Sequence, residues 1–192
     1  MWHGVVAERE FHEALLELDG ESAKQVREEG CRACGGALDA AHYARKPRGG
    51  PPGLGPEHDI RLSFCCRNEG CRKRHRPESV RFLGRKVYLA ALVVVAAALQ
   101  HGLAARRVRS LREMFGVSER TLRRWREWWL DRFARSTCWT ASRGCFATPV
   151  DEARLPASLL ERFDGDERAS LLACLRFLRP ASIGFFHAGQ AS

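Results

Sequence analysis

The chain has 192 residues, 45% of them apolar, and a formal net charge of +9. That apolar content can fill a core and excludes a disordered polymer, and no run reaches the roughly 20 apolar residues that span a bilayer. The charge is unevenly placed: Arg72 to Arg135 carries 17 Lys and Arg against 5 Asp and Glu, a local excess of +12 that leaves the remainder at −3. Phosphate binding requires such a concentrated cationic stretch; solubility does not.

In chain order, Val5 to Glu29 reads as helix in two pieces parted at Asp19-Gly20, with Phe11, Leu15 and Leu18 as an apolar stripe. The segment to Gly30 holds 8 acidic residues against 3 basic ones, so it reads as a packing or partner element rather than a DNA surface. Met1-Trp-His-Gly shows no basic region leading into an apolar stretch. The expectation is a cytoplasmic, nucleoid-associated protein whose eight cysteines stay reduced unless they bind metal.

Cys31 to Arg76 is rich in Gly, Pro, Cys and Arg. Pro47 to Pro56 is a loop, since its prolines and glycines fit neither regular helix nor central strand. Ile60 to Cys66 is the best strand candidate. Cys31-Arg-Ala-Cys34-Gly-Gly is a turn that lets two sulfurs converge on one ion. Cys66 and Cys71 complete the set. Leu62, Phe64 and Cys66 share one strand face while Cys65 points away, and Gly70 lets the loop fold the Cys71 sulfur back. The expectation is a structural Zn2+ on Cys31, Cys34, Cys66 and Cys71 in a small β zinc ribbon, closed to water. Replacement of one ligand by Cys65, His42, His58 or His75 stays open at this point.

The chain then turns helical. Val87 to Leu99, flanked by Arg85-Lys86 and Gln100-His101, reads as buried helix within Arg85–His101, capped by Gly102; Ala105–Phe115 and Ser118–Arg135 follow. Gly116 can take the positive φ that ends a helix, Ser118 is a natural N-cap, and Glu119 complements the helix dipole. Leu122, Trp125, Trp129 and Phe133 recur at spacings of three and four and share one face, with Arg120, Arg123, Arg124 and Glu127 largely off it. Two helices joined by a glycine turn, the second studded with arginine, have the layout of a helix-turn-helix. Pro149 and Pro156 then punctuate a linker, and Ser158–Phe163 and Glu167–Phe177 read as short helices around Asp164-Gly165. The fold class is therefore mainly α with a small β zinc ribbon. It divides into an acidic helical segment (1–30), the ribbon (31–80), a helix-turn-helix domain (81–135) and a linker with short C-terminal helices (136–192).

Cys31-x-x-Cys34-Gly-Gly, Arg45-Lys-Pro-Arg-Gly-Gly50, Phe64-Cys-Cys-Arg-x-x-x-Cys71-Arg-x-Arg and Ser79-Val-Arg-Phe-Leu-Gly-Arg-Lys-Val-Tyr88 resemble bacterial zinc-ribbon, helix-turn-helix proteins of the transposase-associated kind. Gly116 to Trp125 is similar to the DNA-reading half of many insertion-sequence transposases and small repressors. The resemblance implies that Ser118, Glu119, Arg120, Arg123, Arg124 and Glu127 reach the bases, while Leu111, Phe115, Val117, Leu122 and Trp125 pack the two helices. Arg72, Lys73, Arg74 and Arg76 would grip adjacent phosphates, and Arg106, Arg107 and Arg109 the flanking backbone. The expected partner is double-stranded DNA. A transposase or recombinase, or a second copy of the chain, would dock on the acidic N-terminal or the C-terminal helices.

Catalytic readings find less support. An HNH-type nuclease needs a catalytic His with a metal-binding Asn or His nearby, but Asn68 is the single asparagine and sits between proposed zinc ligands. No strand pattern after residue 135 suits a three-carboxylate recombinase core, and no phosphate loop is present. The reading is a non-enzyme.

Overall fold

The computed structural model describes residues 2–84, 86–99 and 116–183. Helix α1 (His3–Ala7) is followed by the long α2 (Arg9–Glu29). The break expected at Asp19-Gly20 lies instead at Glu8, whose backbone is extended (φ −80°, ψ 128°). Asp-Gly is a turn signal in isolation. Here Asp19 points inward and accepts hydrogen bonds from Ser79 Oγ, the Val80 N–H and Arg81 Nε, so tertiary bonding holds the pair helical. Gly30, with φ 76°, ends α2.

Five short strands follow: β1 (Leu38–Ala40), β2 (Tyr43–Ala44), β3 (Ile60–Arg61), β4 (Phe64–Cys66) and β5 (Arg74–His75). An antiparallel sheet has the order β1-β4-β5, and β2 pairs separately with β3. The single strand expected over Ile60–Cys66 is thus two strands parted at Leu62-Ser63. There the chain passes between the two ladders, as the Ser63 N–H donates to His42 Nδ1 at 3.1 Å and the Ser63 carbonyl accepts from the Ala41 N–H at 2.8 Å.

Helix α3 (Ala90–Ala98) is buried along its whole length. It starts later than the sequence suggests, because Tyr88 and Leu89 are extended and bridge to Arg48 and Phe82. Helix α4 (Glu119–Glu127) continues as wider π-type turns over Trp128–Phe133. Those turns keep Trp129 and Phe133 on the buried side of a segment expected to be plain α-helix to Arg135. The described residues end with α5 (Thr137–Ser142), α6 (Ala157–Leu160) and α7 (Glu167–Phe177), with 3-10 turns at Arg143–Cys145 and Glu152–Arg154 between α5 and α6 and at Arg179–Ser182 after α7.

The main core surrounds α3. It gathers Val5, Phe11 and Leu15 from the N-terminal helices, Leu122, Trp125, Trp129 and Phe133 from α4 and its extension, and Trp139, Leu159, Leu171 and Cys174 from the C-terminal helices. The acidic N-terminal and C-terminal segments therefore cover the same helix. A separate, much smaller cluster unites Ala23 of α2 with Cys31, Leu38, Phe64 and Cys66. Among the described residues no helix is long and apolar enough to cross a membrane.

Candidate metal centre and cationic helix

The first sulfur pair sits on a tight turn. The Cys34 and Gly35 N–H groups both donate to the Cys31 carbonyl, at 3.3 and 2.7 Å, and the Cys31 N–H donates to the Gly36 carbonyl at 2.8 Å. Gly35 has φ 72°. A Cβ at Gly36 would lie 3.3 Å from Cys66 Sγ and 3.4 Å from Cys34 Sγ, so a side chain there would crowd the sulfurs. The second pair is built from β4 and the loop after it. The Cys71 and Arg72 N–H groups donate to the Asn68 carbonyl at 3.0 and 2.9 Å, and the Gly70 N–H donates to Asn68 Oδ1 at 3.1 Å. Asn68 thereby shapes the loop, and Arg72 adopts φ 46° to leave it.

Strand pairing brings the two turns together. Leu38 of β1 lies opposite Cys66 of β4. Cys31 Sγ lies 3.7 Å from Cys71 Sγ, and Cys34 Sγ 3.5 Å from Cys66 Sγ. All four sulfurs fall within 4.8 Å of one another and could hold a metal ion. The alternative ligands stand outside this cluster of four sulfurs. Cys65 faces away, its thiol donating to the Arg72 carbonyl at 3.4 Å, as strand alternation requires. His42 is engaged by Ser63, and His58 is buried beside Arg81. His75 lies opposite Phe64 in the sheet and so shares its face; its Nε2 comes within 3.2 Å of Cys31 Sγ, although the cluster of potential ligand atoms comprises the four sulfurs. There it can donate to a ligand sulfur and orient it.

The thiols are not equivalent. The Ala33 N–H, with smaller help from Cys34 and His75, lowers Cys31 to about 6. Burial pushes Cys66 up to about 12. A cation between them would deprotonate the set, because a coordinated thiol gives up its proton. Outside this centre, Cys174 is buried in the main core and its thiol is raised by that burial, while Cys145 is exposed.

The second feature is α4. Gly116 has φ 59° and Ser118 Oγ accepts from the Thr121 N–H at 3.3 Å, so the left-handed glycine and the N-cap stand where the sequence puts them. Leu122, Trp125, Trp129 and Phe133 are buried. Ser118, Glu119, Arg120, Arg123, Arg124 and Glu127 are exposed. Arg123 lies 3.9 Å from Glu127, a solvated pair. Arg120 and Arg124 have no ion-pair partner among the described residues. Arg72, Lys73, Arg74 and Arg76 are also exposed, around β5. Arg106, Arg107 and Arg109, and the helix expected over Ala105–Phe115, lie outside the described residues.

Two cationic residues have no counterpart in the expectations drawn from sequence. Arg126 is exposed on α4 although helical phase sets it near Leu122. Lys86 is half-buried with Nζ 3.8 Å from the centre of the Trp128 ring. Burial, then Arg132 and Arg124, lower its pKa to about 8. No local sequence signal places Lys86 beside α4; a long-range contact does so.

No protein-family model matches the chain, and neither curated proteins nor solved structures include a detectable relative.

Proposed function

We propose that the protein is a zinc-stabilised, helix-turn-helix DNA-binding protein without catalytic chemistry of its own, in a transposase-associated or regulatory role. One observation carries the reading: a serine-capped helix is fastened to the core by Leu122, Trp125 and Trp129 while Arg120, Arg123 and Arg124 stand in solvent on its other side. A rigid helix with solvated guanidiniums suits a major groove, where an Arg-to-guanine contact is worth roughly 1–3 kcal/mol of discrimination. The exposed cations around β5 suit the adjoining phosphates.

Zinc suits a donor set of four sulfurs. Four sulfurs held about 2.3 Å from one tetrahedral ion lie about 3.8 Å apart, close to the 3.7 Å of Cys31–Cys71 and the 3.5 Å of Cys34–Cys66. Cys31, Cys34, Cys66 and Cys71 would hold it. Bound there, zinc contributes folding free energy to a segment with few buried apolar side chains and keeps no position for water. The groups a nuclease would need are otherwise engaged: Asn68 shapes the ligand loop, His75 lies against Cys31, and His42 is tied to Ser63. This supports the non-catalytic reading.

A second reading has its own observation. Glu10, Glu17 and Glu21 are exposed along α2. That acidic face suits a protein adaptor that docks a recombinase or a second copy of the chain, with DNA contact secondary.

Selection from a pool of random duplexes tests the main reading. Wild-type protein should enrich a defined motif, and an Arg123→Ala, Arg124→Ala variant should not. A flat pool beside a stable protein complex would favour the adaptor.

A further inference from the structure

Resting on the DNA-binding reading, we propose a second duplex contact, made by the loop Lys46-Pro-Arg-Gly-Gly50, which grips the backbone beside the α4 site through Lys46 and Arg48. Neither residue belongs to α4 or to the cysteine segment's basic cluster.

The loop is fixed to the chain that borders α4. The Arg48 N–H donates to the Val87 carbonyl at 2.8 Å, and the Leu89 N–H donates to the Arg48 carbonyl at 3.0 Å. Arg45 Nη2 donates to the carbonyls of Gly84 and Lys86, at 2.7 and 3.0 Å. Gly49 presses on α3: its φ is 89°, and a Cβ there would collide with the Leu92 side chain. Gly50 lies close to Leu54 and Leu89. The glycines let the loop lie flat on the protein and leave its cationic side chains outward.

The bordering segment touches α4 at two points. Tyr88 meets Trp125 edge to face, with ring centres 5.0 Å apart, and Lys86 caps Trp128. Arg48 pairs with Tyr88 in a parallel bridge. Its backbone therefore lies about one strand spacing, roughly 4.8 Å, from a residue in contact with α4. Both α4 contacts lie on residues 86–89, the same stretch to which the Arg48 backbone and the Arg45 side chain are bonded.

Lys46 and Arg48 are exposed, and neither side chain has a partner among the described residues. Lys46 also holds φ 46° without being glycine, secured as the Arg45 and Lys46 N–H groups donate to the Asp59 carbonyl at 2.7 and 3.2 Å. Val87, beside Arg48, is 56% exposed, a lone large apolar residue open to solvent among the described residues. Two unpaired cations on a pinned loop, next to a cationic helix, present the spacing of charges that a duplex backbone can neutralise.

The test compares three full-length proteins on one duplex over a range of salt: wild type, Lys46→Gln with Arg48→Ala, and Arg120→Ala with Arg124→Ala. The loop variant should bind more weakly, with a slope of log affinity against log salt shallower by about 0.9 for each phosphate it no longer neutralises. Its hydroxyl-radical footprint should shed protection on one flank and keep the centre. An Arg48→Lys variant should recover most of the slope. An unchanged slope and footprint in the loop variant, with the helix variant impaired, overturns this inference and leaves the DNA-binding reading intact. Absence of salt-dependent binding by the wild type overturns both.

Discussion

Asp19, midway along α2, and Arg81, just before α3, form an ion pair at 2.8 Å with both side chains only 1% exposed. The carboxylate also accepts from Ser79 Oγ at 2.6 Å and the Val80 N–H at 2.8 Å. The guanidinium donates further to the His58 and Ile60 carbonyls, at 3.1 and 3.0 Å, and lies over the Phe82 ring. One pair thus ties the N-terminal helix, the start of β3 and the entry to the central helix. Its charges are matched and its donors engaged, the condition under which a buried pair is tolerated.

Removing one partner should be costly. Asp19→Ala leaves a buried cation unpaired and should lower stability by about 3–5 kcal/mol, read by urea denaturation. A double variant, Asp19→Leu with Arg81→Met, should recover much of that stability, because two apolar side chains leave no orphaned charge. A single-variant effect below about 1 kcal/mol would mean that the pair does not hold these segments together.

Chelation of the proposed zinc should affect the cysteine segment and spare the helices. The small cluster around Phe64 is separate from the core around α3, so far-UV circular dichroism should persist while residues 31–76 become protease-sensitive. Metal release should rise as pH falls, since protons compete for the sulfurs. In the metal-free fold, Cys31 is lowered from 9.0 to about 6, so its stabilisation is complete above 9.0 and gone below about 6. Cys66, raised from 9.0 to about 12, acts oppositely: its contribution is present below 9.0 and lost as pH rises through about 12. Chromogenic chelator assays across pH would detect the release; retention of metal in strong acid would contradict thiolate ligation.

The turn before α4 offers two measurable costs. Ser118→Ala removes the acceptor for the Thr121 N–H and should destabilise by about 1 kcal/mol. Gly116→Ala meets no neighbour within 4 Å among the described residues, so its cost of about 1–2 kcal/mol should come from the backbone at φ 59°. Thermal melts of both variants decide the matter. A neutral Gly116→Ala would mean that the left-handed turn is not kept in solution.

Lys86 should make DNA affinity sensitive to pH. Its pKa is lowered from 10.5 to about 8 by burial and by Arg132 and Arg124. The lowered value adds stability that is full above 10.5 and lost as pH falls through about 8. A duplex phosphate nearby would favour the charged form, so binding should take up a proton and weaken as pH rises above about 8. Lys86→Arg should abolish the trend by keeping its charge. Equal pH dependence in both proteins would separate Lys86 from the binding surface.

What the sequence reveals is what neighbours along the chain decide. The Cys31-x-x-Cys34 turn, the face shared by Phe64 and Cys66, the Ser118 cap and the Leu122–Trp125–Trp129 stripe depend on spacing alone, and each stands in the structure. Asp19-Gly20 misleads because its partner, Arg81, is remote in sequence. Likewise, nothing local marks the Tyr88-Leu89 bridges that delay α3, or the approach of Lys86 to Trp128. His75 comes within 3.2 Å of Cys31 Sγ only through its pairing with Phe64, which no spacing along the chain encodes.

Contact between the exposed cations of α4 and a polyanion underlies the proposed function. Its most direct test is the affinity of wild type and the Arg120→Ala, Arg124→Ala variant for a duplex, followed from about 50 to about 200 mM salt. Wild-type affinity should fall steeply with salt, and the variant should bind more weakly with a slope shallower by about 0.9 for each phosphate left without its arginine. Identical slopes for the two proteins, or binding indifferent to salt, would contradict that contact.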